Sequence, residues 1–86
     1  MTAWLCVSSI PRDYDEQQLR ELCSPFGLVR RAEVARDRER RPLEFGFVEM
    51  VRSEDAQRVC EGLDGSRLAG KTLTVALVQE PWHREL

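Results

Sequence analysis

Apolar positions along this chain recur with a period near two in four stretches and at helical spacing in two others, and the order of these stretches predicts a fold. Trp4-Leu5-Cys6-Val7-Ser8-Ser9-Ile10 is apolar and partly β-branched and stops at Pro11, as an opening strand does. Asp13 with Glu16 three residues later has the form of a capping box with aspartate as the cap. Leu19, Leu22, Cys23 and Phe26 then recur at helical spacing until Pro25 and Gly27 end the segment. Val29, Ala32 and Val34, set among arginines and Glu33, predict a second strand with one buried face and a hairpin tip near residues 38 to 42. A third strand follows over Phe45 to Val51. Ser53 is expected to cap a helix whose stripe is Ala56, Val59, Cys60 and Leu63. Gly62, Asp64-Gly65 and Gly70 break the chain, with Leu68 as an anchor in the connection. Thr72 to Val78 alternates as a last strand, with Leu73, Val75 and Leu77 expected to point inward.

The order β-α-β-β-α-β leads to an α+β, ferredoxin-like split βαβ fold, a four-stranded antiparallel sheet with both helices on one face. The other face is left open. Because strand side chains alternate, Trp4, Cys6 and Ser8 from the first strand and Leu43, Phe45, Phe47 and Glu49 from the third should collect there. Gly46, Val48 and Met50 would then face the helices. Burying Phe45 instead requires a slip of one residue, which exposes Val48 and Met50, so only one register satisfies the core.

Bulk properties narrow the picture. With 86 residues, 42% hydrophobic and 33% charged, the chain is expected to form one domain over residues 1–79 with a tail at 80–86. No apolar run approaches the roughly 20 residues of a membrane span, and no signal-type segment follows Met1, so an intracellular location and no membrane partner are expected. Cys6, Cys23 and Cys60 are odd in number and widely spaced, which suits reduced thiols better than a disulfide framework or a zinc site. The net charge of -2 is unevenly spread: residues 30 to 41 carry six arginines against Glu33, Asp37 and Glu39, a local +3. A basic hairpin beside an aromatic sheet face is a candidate nucleic-acid surface, although such a run is also often simply a solvated segment.

These residues taken together resemble an RNA recognition motif domain from about Trp4 to Val78. Leu-Arg-Glu-Leu-Cys-Ser-Pro-Phe-Gly in the first helix, Gly-Leu-Asp-Gly after the second, and Leu68, Gly70, Leu73 and Val75 beyond it carry the likeness. The family's longer ribonucleoprotein motif falls on Leu43 to Met50, keeping two central aromatics as Phe45 and Phe47, and its shorter motif falls on Leu5 to Ile10. There are three departures. Leu43 stands where the family has an arginine or lysine, Cys6 where it has a stacking aromatic, and Glu44 where it has glycine. Trp4, on the same face as Cys6, is the candidate replacement ring, with edge packing as the alternative. Trp82 and His83 lie in a tail that related domains can fold over the sheet.

The resemblance implies a single-stranded RNA partner in RNA processing, stability or translation. Phe45 and Phe47 would stack bases with help from Trp4, and Cys6, which lacks a ring, would line the same RNA-binding face. Ser8 and Thr74 would offer polar edges, and Arg31, Arg36, Arg38, Arg40 and Arg41 would hold phosphates. No cofactor and no small-molecule substrate are implied. The alternative is a protein-interaction module that meets its partner through the sheet face or the acidic first helix with Asp13, Asp15, Glu16 and Glu21. The partner-tryptophan mode of some relatives requires Arg-x-Phe after helix two, whereas this chain reads Ser66-Arg67-Leu68-Ala69. Small acyl-phosphate hydrolases share the element order, and Arg12 stands where their arginine would be, but the chain contains no asparagine for their second role, so no enzyme is expected.

Overall fold

The computed structural model describes residues 1–79. The tail with Trp82 and His83 lies outside the described residues. In chain order the elements are strand β1 (Ala3–Ser8), helix α1 (Glu16–Cys23) running into a 3-10 turn (Ser24–Phe26), β2 (Val29–Arg36), β3 (Pro42–Met50), α2 (Ser53–Leu63), the two-residue strands β4 (Arg67–Leu68) and β5 (Lys71–Thr72), and β6 (Thr74–Val78). The main sheet is antiparallel in the order β2-β3-β1-β6, so β3 and β1, which carry the two motif segments, are its central strands. This is the split βαβ arrangement expected from the pattern.

The core fills the space between the sheet and the helices. Leu5 and Val7 from β1, Val34 from β2, Val48 and Met50 from β3 and Val75 from β6 meet Leu19 and Cys23 of α1 and Ala56 and Val59 of α2, all buried. Gly46 belongs to this layer. A Cβ there would lie 2.7 Å from the Glu33 carbonyl oxygen and 2.7 Å from Leu19 Cδ2, so the missing side chain is what lets α1 approach the β2–β3 seam.

Several boundaries differ from the sequence expectation, each for a local reason. The cap of α1 is Asp15, not Asp13: its carboxylate accepts from the Gln18 backbone N–H at 2.8 Å while Gln18 Oε1 accepts from the Asp15 N–H at 3.0 Å. Glutamine completes the box as well as glutamate does. Asp15→Ala should therefore cost about 1 kcal/mol, read as a fall in thermal midpoint of roughly 4–8 °C for a domain of this size. At α2 the cap position is Arg52 without a side-chain bond, and Ser53 is the first helical residue. Glu54 and Asp55 in the first turn offset the exposed N–H groups instead.

The β2–β3 hairpin turns over residues 37–41 rather than 38–42, because Asp37 accepts from the Arg41 N–H and Nε at 2.9 and 3.1 Å and its carbonyl accepts from the Arg40 N–H. Ladder pairing begins as early as Pro42. The last expected strand divides. Ala69 and Gly70, both at positive φ, close a tight β4–β5 hairpin of the kind that needs such backbone. Leu73, buried, bonds back to Ser66 and Gly65, and β6 starts only at Thr74. Leu77 was expected to point inward with Leu73 and Val75 but is 54% exposed. It shares the helix-side face with its register partner Leu5, but it lies on the edge strand, where the helices no longer cover it.

Candidate nucleic-acid interface

The sheet face away from the helices is built by cross-strand registers. Phe45 lies opposite Ser8, Phe47 opposite Cys6, and Glu49 opposite Trp4. On the other side of β3, Glu33 faces Phe47 and Arg31 faces Glu49. On the other side of β1, Thr74, Ala76 and Val78 face Ser8, Cys6 and Trp4. Phe45 and Phe47, both half-buried, meet edge to face with ring centroids 5.7 Å apart and planes at 88°. The two rings therefore present surfaces in different directions rather than one flat shelf. Cys6, half-buried, lies with its Sγ 3.8 Å from Ser8 Oγ.

Spacing along β2 explains how so many arginines reach this face. Val29, Ala32 and Val34 cannot share one side of a regular strand, and the register shift between Val29 and Arg31 resolves the conflict. Arg30 and Arg31 consequently reach the same side: Arg30 Nε is 3.7 Å from Glu49 Oε1, and Arg31 is the register partner of Glu49.

Trp4 departs from the expectation of an open ring. It is 6% exposed although it lies outside the helix-side core, flanked in register by Glu49 and Val78 on the two strands that enclose β1.

The hairpin arginines divide into two groups. Arg36 Nη2 lies 3.7 Å from Glu16 Oε2, a carboxylate that also accepts from the Val34 N–H at 3.1 Å, so α1 is tied to β2. Arg41 is held by Asp37 and Glu39. Arg38 and Arg40, both exposed, have no ion-pair partner among the described residues. Arg40 sits at positive φ, 69°, within the turn, where its N–H donates to the Asp37 carbonyl.

Glu44, the departure from the family motif, is not on the aromatic face. It accepts from Arg12 Nε at 3.1 Å and from Lys71 Nζ at 2.7 Å, which joins the loop after β1 to the β4–β5 hairpin. The bond from Lys71 and then that from Arg12 hold its carboxyl below the usual range. The acidic first helix is similarly engaged: Asp15 caps it, Glu16 binds β2, and Glu21 accepts from Gln17. Burial, with Cys60 adding to it, pushes the Cys23 thiol up to about 12, as suits a packed rather than a reactive sulfur. Among the described residues no group of acidic, cysteine or histidine side chains is placed to hold a metal, and no helix is long and apolar enough to cross a membrane.

The family model of the RNA recognition motif matches residues 5–74, which includes both motif strands and both helices. The chain belongs to the RNA recognition motif family. Over 77 residues it is 39% identical to the probable splicing factor, arginine/serine-rich 6, of Caenorhabditis elegans, covering 90% of this chain and 41% of that protein. Over 78 residues it is 35% identical to the small ribosomal subunit protein cS22 of Spinacia oleracea, covering 90% of this chain and 30% of that one. The chain thus spans less than half the length of either relative. Among solved structures, the RNA binding protein PG1 superposes with a TM-score of 0.86 at 34% identity, covering 91% of this chain and 95% of that one. The RNA recognition motif of Rna15 with bound RNA (GU) gives 0.80 at 26% identity, covering 90% and 83%.

The residues that sequence reasoning missed are on β2. Glu33, which faces Phe47, was signalled by alternation from Arg31, two residues earlier, and Arg30, brought round by the bulge, by the uneven spacing of Val29, Ala32 and Val34.

Proposed function

We propose that this RNA recognition motif domain binds single-stranded RNA on its open sheet face, as part of RNA processing, stability or translation. The carrying observation is the pair Phe45 and Phe47 on the central strand, half-exposed and outside the core, with polar neighbours at Ser8 and Thr74. One ring takes a base against its face. The other, turned by 88°, packs against the adjoining nucleotide. Cys6 leaves the neighbouring position without a ring, and Trp4, covered, supplies none; affinity therefore rests on fewer stacked bases than two full motifs provide.

The arginine hairpin holds the backbone, and at its tip Arg38 and Arg40 have no carboxylate partner among the described residues. Arg36 and Arg41 have first to leave Glu16 and Asp37. Replacing Arg38 and Arg40 together by glutamine should weaken binding across RNA sequences and flatten the dependence of log affinity on log salt by roughly 1.4, at about 0.7 per phosphate contact on a single strand. Fluorescence anisotropy titrations of a uridine heptamer at several salt concentrations read this slope. An unchanged slope would remove the hairpin from the interface. A heteronuclear NMR titration locates the surface: shifts centred on Phe45 and Phe47 support the reading, and a silent sheet with shifted helices favours a protein partner.

A further inference from the structure

Three carboxylates border the aromatic strand, and two are occupied: Glu44 by Arg12 and Lys71, Glu49 by Arg30. The carboxylate of Glu33 is exposed and has no hydrogen-bond or ion-pair partner among the described residues. Glu33 is the direct cross-strand partner of Phe47 on the open face. Both line a cleft of about 360 Å³ between β2 and the hairpin, together with Arg40, Arg36, Asp37 and Glu16. Of the charged groups in this cleft, Arg36, Asp37 and Glu16 are engaged with one another or with Arg41 and the backbone. One anion, Glu33, and one cation, Arg40, remain beside an aromatic wall.

We propose that this cleft is a nucleotide subsite in which Glu33 selects guanine. The inference rests on the sheet face being an RNA surface and adds which base one position of it takes. An ionised carboxylate only accepts hydrogen bonds, through two parallel oxygens. Guanine alone among the four bases places two donors side by side on its Watson–Crick edge, N1–H and the N2 amino group. Adenine and cytosine pair one amino donor with a ring-nitrogen acceptor, and uracil flanks its single N–H with two carbonyl oxygens, so each sets a lone pair against the carboxylate. Cross-strand neighbours on one face are about 5 Å apart at Cβ, so a guanine lying on Phe47 with this edge toward β2 is within reach of Glu33. Both bonds are charge-assisted and parallel, the geometry that gives most discrimination. Arg40 supplies the positive charge for the phosphate of the same nucleotide.

The test compares three labelled RNAs by anisotropy, a uridine heptamer and the same heptamer with a central guanosine or a central inosine, against the wild-type domain and Glu33→Gln. Wild type should prefer the guanosine RNA over the uridine RNA by about tenfold, with inosine, which lacks the N2 amino group, in between. Glu33→Gln should bring the guanosine and uridine affinities within about twofold of each other. Because removing an anion strengthens RNA binding generally, the ratio and not the affinity is the readout. A guanosine preference that survives in Glu33→Gln overturns the proposal, as does a wild type that binds all three equally; in both cases RNA binding itself stands. If none of the three binds, the RNA reading fails and the subsite with it.

Discussion

Phe47→Ala is expected to weaken single-stranded RNA binding by roughly 1–3 kcal/mol, tens-fold near the middle of that range, because the variant loses one base stack. The position makes the loss hard to compensate. Phe47 lies at the centre of the sheet between Cys6 and Glu33, neither of which has a ring, and the covered Trp4 is one register step away, opposite Glu49. Its edge-to-face contact with Phe45 also orients that ring, so truncation removes one surface and loosens the second. The ring is half-buried on the open face and lies outside the helix-side core, so the variant should remain folded. Titration by anisotropy, with a thermal melt of the same sample, separates the two effects. A folded variant that binds as tightly as wild type would remove the aromatic strand from RNA recognition.

Gly46→Val should be the most destabilising change on the same strand, by about 3 kcal/mol, with Gly46→Ala costing about 1 kcal/mol. The first added atom already meets the Glu33 carbonyl and Leu19 Cδ2 at 2.7 Å, and the Val34 Cα at 3.3 Å. Leu19 is fully buried and the carbonyl belongs to a paired strand, so neither neighbour can turn away freely. The branched side chain must push α1 off the sheet or open the β2–β3 ladder. Urea denaturation followed by tryptophan fluorescence measures the loss. Stability equal to wild type would show that α1 can shift without cost. The change lies behind Phe45 and Phe47, so any fall in RNA affinity should follow the fall in stability and not exceed it at temperatures where the variant is folded.

Much of this could be read from the chain because alternation and helical spacing are local signals. Phe45 and Phe47 had to face away from Val48 and Met50, and the structure has them there. Leu19, Cys23, Ala56 and Val59 line the core as their spacing required. The errors fall where a side chain chose between equivalent local partners or where coverage depends on a distant element. Asp13 was expected to cap the first helix, whereas Asp15 caps it in exchange with Gln18. Leu77 followed the alternation and still lies exposed, since no pattern within a strand tells how far a helix reaches over it.

By itself the sequence determined the order of elements and the face on which the aromatic pair lies, because period-two and period-3.6 patterns encode which side of each element must leave water; the family resemblance rested separately on its motif residues. Only the tertiary structure decided which charges are already engaged. Glu44 meets Arg12 and Lys71, which lie 32 and 27 residues away in the chain, Glu16 meets Arg36, and Glu49 meets Arg30 through a bulge. Ion pairs form between whatever side chains the fold brings within a few ångströms, and no local periodicity carries that information. Among the described residues, that pairing leaves Glu33, Arg38 and Arg40 without a carboxylate or guanidinium partner near the aromatic strand, a distinction that a count of arginines in the hairpin does not contain.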